Sequence, residues 1–186
     1  MAAAPATDKV IEKHLQEFGF LWGQGQNALR SPEYKLPDLK LLASRIEAHF
    51  DGLRLAAQAA PDFLVAKLKG DDAWGVFAAA FALLQLQMPE AASAVVQALL
   101  KAEPEQIEPL RQALLHGPID PVEKQLREVA LSAPPHVAVA ALEALLYHGR
   151  QVVERQRLAE FVRHEDPAVR SAAWRIVALG DATNYP

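Results

Sequence analysis

The chain of 186 residues has no cysteine. That absence removes a disulfide framework, a thiolate zinc site and a cysteine nucleophile together, and it suits a reducing compartment. A basic excess is missing as well: 19 Lys and Arg stand against 23 Asp and Glu, for a net charge of −4. Phosphate-backbone binding normally shows as a basic face, so nucleic acid is not an expected partner. No window approaches 18 uncharged apolar residues. The most apolar one, Val76 to Met88, lies between Asp71-Asp72 and Pro89, which marks a buried helix and not a membrane span. Residues Met1 to Thr7 lack the basic start and apolar stretch of a secretory signal and are expected to form a loose tail. The expected location is the cytoplasm.

Sustained period-two alternation is also lacking, while Ala, Leu, Gln, Glu and Arg are plentiful, so the expected fold class is all-α. Proline recurs where a helix would begin, often after an Asp able to cap it, as in Asp120-Pro121 and Asp166-Pro167. Two long helices are expected first, over Asp8 to Leu29 and Pro37 to Ala59, joined at Ser31-Pro32. Ile11, Leu15, Phe18 and Trp22 mark one face of the first, and Leu39, Leu42, Ile46, Phe50 and Leu53 one face of the second. A short loop makes such helices antiparallel neighbours, so residues 8–60 are expected to form an N-terminal hairpin.

Beyond that hairpin the starts become periodic. One series begins near Pro61, Pro89, Pro121 and Gln151, and a second near Asp72, Pro104, Pro135 and Pro167, each repeating at about 30 residues. The last two members of the second series also align, Pro135-His136-Val137-Ala138-Val139-Ala140-Ala141-Leu142 with Pro167-Ala168-Val169-Arg170-Ser171-Ala172-Ala173-Trp174. Residues 61–180 therefore predict about four stacked helical hairpins, each contacting mainly its neighbours, with a short tail over 181–186.

The segment Glu165-Asp166-Pro167-Ala168-Val169-Arg170-Ser171-Ala172-Ala173-Trp174 resembles the HEAT repeat signature, in which Asp-Pro opens the second helix and Val-Arg and Ala-Ala follow. The stretches Phe18-Gly19-Phe20-Leu21-Trp22, Ala28-Leu29-Arg30-Ser31-Pro32 and Arg45-Ile46-Glu47-Ala48-His49-Phe50-Asp51-Gly52-Leu53 look like a bacterial family with HEAT-like repeats. Genes of that family often lie in type VI secretion clusters beside toxic effectors. The resemblance implies a HEAT-like α-solenoid acting as a cytoplasmic accessory of an effector module. It would be an adaptor or co-chaperone that helps load a secreted toxin, or an immunity protein that masks one. It carries over no catalytic motif.

Chemistry-bearing patterns are scarce. The six histidines include no His-Glu-x-x-His helix, no serine sits in a Gly-x-Ser-x-Gly elbow, and Gly23-Gln24-Gly25 follows no strand. Those glycines fit a kink or a close helix contact. Glu47 and His49, two apart, point to different helix faces, and His148 and His164 sit near helix ends. No enzyme activity, metal or cofactor is expected. A HEAT-like enzyme or nucleic-acid reader stands as the alternative, and a fragment completing a longer array as a third.

Trp22 and Trp74 fall on strongly apolar helices and are expected in the core, whereas Trp174 belongs to the last recognisable helix, where no polar cap is evident, so the expectation is that the tail folds back, the chain is cut or a partner docks there. Glu90, Glu103, Glu105, Glu108, Asp120 and Glu123 outnumber Lys101 and Arg111 across the middle, while Arg150, Arg155, Arg157, Arg163, Arg170 and Arg175 crowd the C-terminal part. That pattern suits either a solvated surface or an acidic surface that steers a basic partner. The candidate protein-binding residues are Trp174 and Arg170, four apart on one helix face, with Glu105 and Glu108 in the acidic middle.

Overall fold

A computed structural model describes residues 5–150 and 155–180. Every regular element among them is helical: α1 (Pro5–Ala28), α2 (Leu36–Ala59), α3 (Pro61–Lys67), α4 (Ala73–Gln85), α5 (Pro89–Leu100), α6 (Pro104–His116), a 3-10 turn (Asp120–Val122), α7 (Glu123–Ser132), α8 (Pro135–Tyr147), α9 (Arg155–Val162) and α10 (Pro167–Leu179). No helix among the described residues is long and apolar enough to cross a membrane.

Prolines begin α3, α5, α6, α8 and α10, where the missing N–H would have had no intrahelical acceptor. Acidic caps complete two of the starts. Asp72 accepts from the backbone N–H groups of Trp74 and Gly75 at 3.2 and 3.1 Å, and Asp166 accepts from that of Ala168 at 2.8 Å. Asp120 behaves differently from the expected cap. It lies inside the 3-10 turn and accepts from the Arg150 guanidinium, and that turn runs directly into α7 at Glu123, close to the expected start near Pro121. The expected helix start near Gln151 lies outside the described residues.

Packing places successive elements side by side. Helix α1 pairs with α2, α3 with α4, α5 with α6, α7 with α8, and α9 with α10. One row then runs α1, α4, α6, α8, α10, and behind it α3 packs on α5 and α5 on α7. Helices with neighbours on several sides are apolar all round. Residues Val76 to Leu84 of α4 and Val137 to Leu145 of α8 are buried without a break. A single core runs from Ile11 to Ile176 and takes in the N-terminal hairpin, while Leu21, Ala28 and Leu42 form a small satellite between α1 and α2.

The junction between α1 and α4 depends on glycine. A Cβ on Gly19 would lie 2.6 Å from the Trp74 carbonyl oxygen, and one on Gly23 2.8 Å from the Trp74 indole. The close-contact alternative for Gly23 therefore holds, and α1 runs on without interruption to Ala28. Gly25 meets only ordinary contact with Ile46. This approach lets Trp22 stack on Phe77 at 4.9 Å and Phe18 on Phe77 at 5.8 Å, the aromatic centre of the N-terminal half.

Candidate protein-binding face

Three helices of the row, α6, α8 and α10, share a chain of ionic hydrogen bonds. Arg111 of α6 donates through Nε and Nη2 to both oxygens of Glu108, at 2.8 and 2.6 Å, and through Nη1 to Glu143 of α8 at 2.8 Å. Arg175 of α10 donates to the same Glu143 through Nε at 2.9 Å and Nη2 at 3.2 Å. Burial is strongest in the middle, where Arg111 is 8% and Glu143 3% exposed, so neither charge could be held there without its partners. Glu108 and Arg175 are the solvent-facing ends.

Above this chain lies a groove of about 230 Å³. Ile107, Val139, Ala140 and Ala172 supply its apolar lining, and Glu108, Arg111, His136, Asp166 and Arg175 its polar one. Burial alone would raise the Glu108 pKa, but the hydrogen bonds from Arg111 and Gln112 and the charges of Arg111 and Arg175 prevail and hold it below the ordinary 4.5. The Arg111 pKa is likewise raised: burial opposes its charge, while the two glutamates more than restore it. The groove thus carries a fixed acidic end on α6 and a fixed basic end on α10.

The four residues singled out from the sequence fall in different places. Glu108 lines the groove. Glu105, one turn earlier and exposed, lines a neighbouring cleft of about 250 Å³ with Gly70, Asp71 and Pro109. Arg170 turns back on its own loop, donating through Nη1 to the carbonyls of His164 at 2.8 Å and Glu165 at 2.7 Å. Trp174 is half exposed, at 50%, on the solvent side of α10. Residues 181–186, the tail beyond that helix, are not described.

Arg111, Glu143 and Arg175, which build the groove, are absent from that set. Glu143 had a visible signal: it is the one ionisable group in the apolar run Val137-Ala138-Val139-Ala140-Ala141-Leu142-Glu143-Ala144-Leu145. A lone acid there needs a buried cation. Trp74 departs from the expected core position. Its backbone N–H is held by the Asp72 cap, so it sits in the first turn of α4 at the edge of the core, 40% exposed. Trp22 packs against the core as expected, although its Nε1 is buried without a hydrogen-bond partner among the described residues.

The acidic middle is also partly neutralised. Glu123 accepts a hydrogen bond from Arg127 at 2.7 Å and pairs with the Arg150 charge at 3.2 Å, and Asp120 is engaged by Arg150. The Arg127 hydrogen bond leads the causes that lower the Glu123 pKa. Glu90, Glu103 and Glu105 have no ion pair among the described residues and remain the acidic surface.

Three of the histidines serve the packing. His148 Nε2 lies 3.0 Å from the Leu114 carbonyl oxygen, and His164 Nδ1 accepts from the Asp166 backbone N–H at 3.1 Å. His116 stands edge-on to Trp22 at 5.0 Å and to Tyr147 at 5.6 Å. Burial first, then the charges of Arg111 and His148, lower its pKa from 6.5. No group of three or more His, Asp or Glu among the described residues is placed to hold a metal ion. No protein-family model, curated protein or solved structure matches the chain.

Proposed function

We propose that this protein is a non-catalytic binding scaffold, a HEAT-like α-solenoid preceded by a helical hairpin, whose α6–α8–α10 face receives a segment of another protein. One observation carries the proposal: the polar ends of the groove are fixed before any partner arrives. Glu143 holds Arg175 by two hydrogen bonds, and Arg111 holds Glu108 by two more. A surface ordered in advance loses less entropy when a partner docks. Half-exposed Trp174 on the same helix as Arg175 supplies the kind of aromatic group on which interfaces concentrate their affinity. The two-row packing and the Asp166-Pro167 helix start support the solenoid.

The sequence resemblance directs the search for the partner toward a secreted toxin effector of a type VI system, or its loading machinery, with the scaffold acting in the cytoplasm as adaptor or co-chaperone. The test is capture from native cytoplasm with wild type, Trp174→Ala and Glu108→Lys, with stoichiometry by mass. A defined complex that either substitution weakens at least about tenfold supports the face as the binding site. A captured toxin that keeps its activity identifies an adaptor, and one that is silenced identifies an immunity protein. Recovery of nucleic acid or a small molecule in place of a protein would sink the proposal.

A further inference from the structure

On the opposite row, α3 and α5 lie side by side and leave between them a half-open groove of about 380 Å³. Its floor is Val65, Leu68, Ala94 and Ala98. Short turns fold α3 back on α4 and α4 back on α5, so α3 and α5 run in the same direction, and Lys69 and Lys101 follow their equivalent C-terminal ends. Among the described residues these lysines are the only charged ones lining the groove, although the chain as a whole is acidic. Both are exposed, and neither has an ion pair among the described residues. The neighbouring Lys67, by contrast, is engaged by Glu12. Beyond the groove, at the N-terminal ends of the two helices, stand Asp62 in the first turn of α3 and Glu90 in the first turn of α5. Gln106 closes the lysine end by donating to the Gly70 carbonyl at 3.2 Å.

We propose that this groove seats an amphipathic helix of a partner protein, running antiparallel to α3 and α5, with a carboxylate in its first turn between Lys69 and Lys101. Direction follows from charge. A stable helix favours acids in its first turn and bases in its last, and only the antiparallel orientation sets that first turn against Lys69 and Lys101 and points the last toward the acidic N-terminal ends of α3 and α5. Helical character follows from the open side. A free acyl chain would need enclosure over most of its surface, whereas a helix buries one apolar stripe and keeps its other face in water. The inference rests on the scaffold reading and extends it to a second surface, separate from the α6–α8–α10 face.

Two synthetic helices of about four turns test it. Both carry one Leu/Ala stripe; one has glutamates in the first turn and lysines in the last, and the other has them exchanged. Fluorescence anisotropy is expected to show binding of the acid-first peptide and weaker binding of its exchanged twin. Lys69→Glu/Lys101→Glu is expected to weaken the acid-first peptide by about tenfold or more and to reverse the preference. Both sites are exposed, so an unchanged thermal melt shows that the variant still folds. Ala98→Leu, which fills the floor, is expected to weaken both peptides. Equal binding of the two peptides, binding of neither, or indifference to the charge reversal overturns the proposal. Each of these outcomes leaves the scaffold reading standing, because the α6–α8–α10 face is tested separately by capture with Trp174→Ala.

Discussion

Replacing Glu143 by Leu strikes the molecule where its charges are most deeply buried. Three hydrogen bonds end on this carboxylate, two from Arg175 and one from Arg111. Removing one partner of a buried pair costs about 3–5 kcal/mol when the other is left bare. Here the orphan is only partly bare, because Arg111 keeps both bonds to Glu108 and Arg175 is nearly half exposed. The expected loss is therefore about 2 kcal/mol, and Arg111→Met should cost about the same, since Glu143 would keep Arg175. The double variant Arg111→Met/Glu143→Leu leaves two charges that water can reach and adds apolar volume, so it should lose only about 1 kcal/mol. Urea denaturation of the four proteins closes the cycle, with a coupling of about 3 kcal/mol. Additive single effects, giving a double variant about 4 kcal/mol less stable, would refute the claim that the two residues act as one unit.

Stability should fall in two stages on acidification. The folded His116 pKa lies below its unfolded value of 6.5, so its contribution is fully present above pH 6.5 and is lost as pH falls toward the folded value. The folded Glu108 and Glu123 values lie below 4.5, so theirs is lost as pH falls below that. Thermal melts of His116→Gln should lack the first stage and keep the second. Gly19→Ala places a methyl against the Trp74 backbone and should cost about 1–3 kcal/mol by chemical denaturation, whereas Gly23→Ala meets a half-exposed indole that can shift and should cost less. Gln87 sits at φ 51°, in the left-handed region, and Gln87→Gly should raise stability by about 1 kcal/mol in the same assay.

Helix starts were the most legible part of the fold, because proline and aspartate act locally. Pro61, Pro89, Pro104, Pro135 and Pro167 each open a helix. Asp120-Pro121 looks the same in sequence, but a cation 30 residues away engages the aspartate. Local chemistry cannot reveal a partner brought in by packing. The same limit explains the mixed outcome for candidate residues on α10. Arg170 and Arg175 are equally plausible in sequence, yet the buried face of Val169, Ala172, Ala173 and Ile176 sets Arg175 over Glu143, while Arg170 folds onto the loop before the helix. Trp74 misled because its helix is apolar throughout, and only its place in the capped first turn moves it outward. Glu143 was the missed clue.

A buried ion chain is a poor device for stability alone, since apolar residues of similar size do nearly as well. What apolar residues cannot do is hold Glu108 at one end of the groove and Arg175 at the other. Each end is a long, exposed side chain that would otherwise sample many rotamers, and ordering it at the moment of docking costs about 0.5–1.5 kcal/mol. The chain Glu108–Arg111–Glu143–Arg175 settles that cost during folding and ties three successive helices to one spacing. Arg111→Met/Glu143→Leu therefore separates the two roles in a single protein. Its stability should stay near that of wild type while its hold on the α6–α8–α10 partner weakens. Retained affinity in that variant would mean that the groove binds by shape alone and that its charges are bystanders.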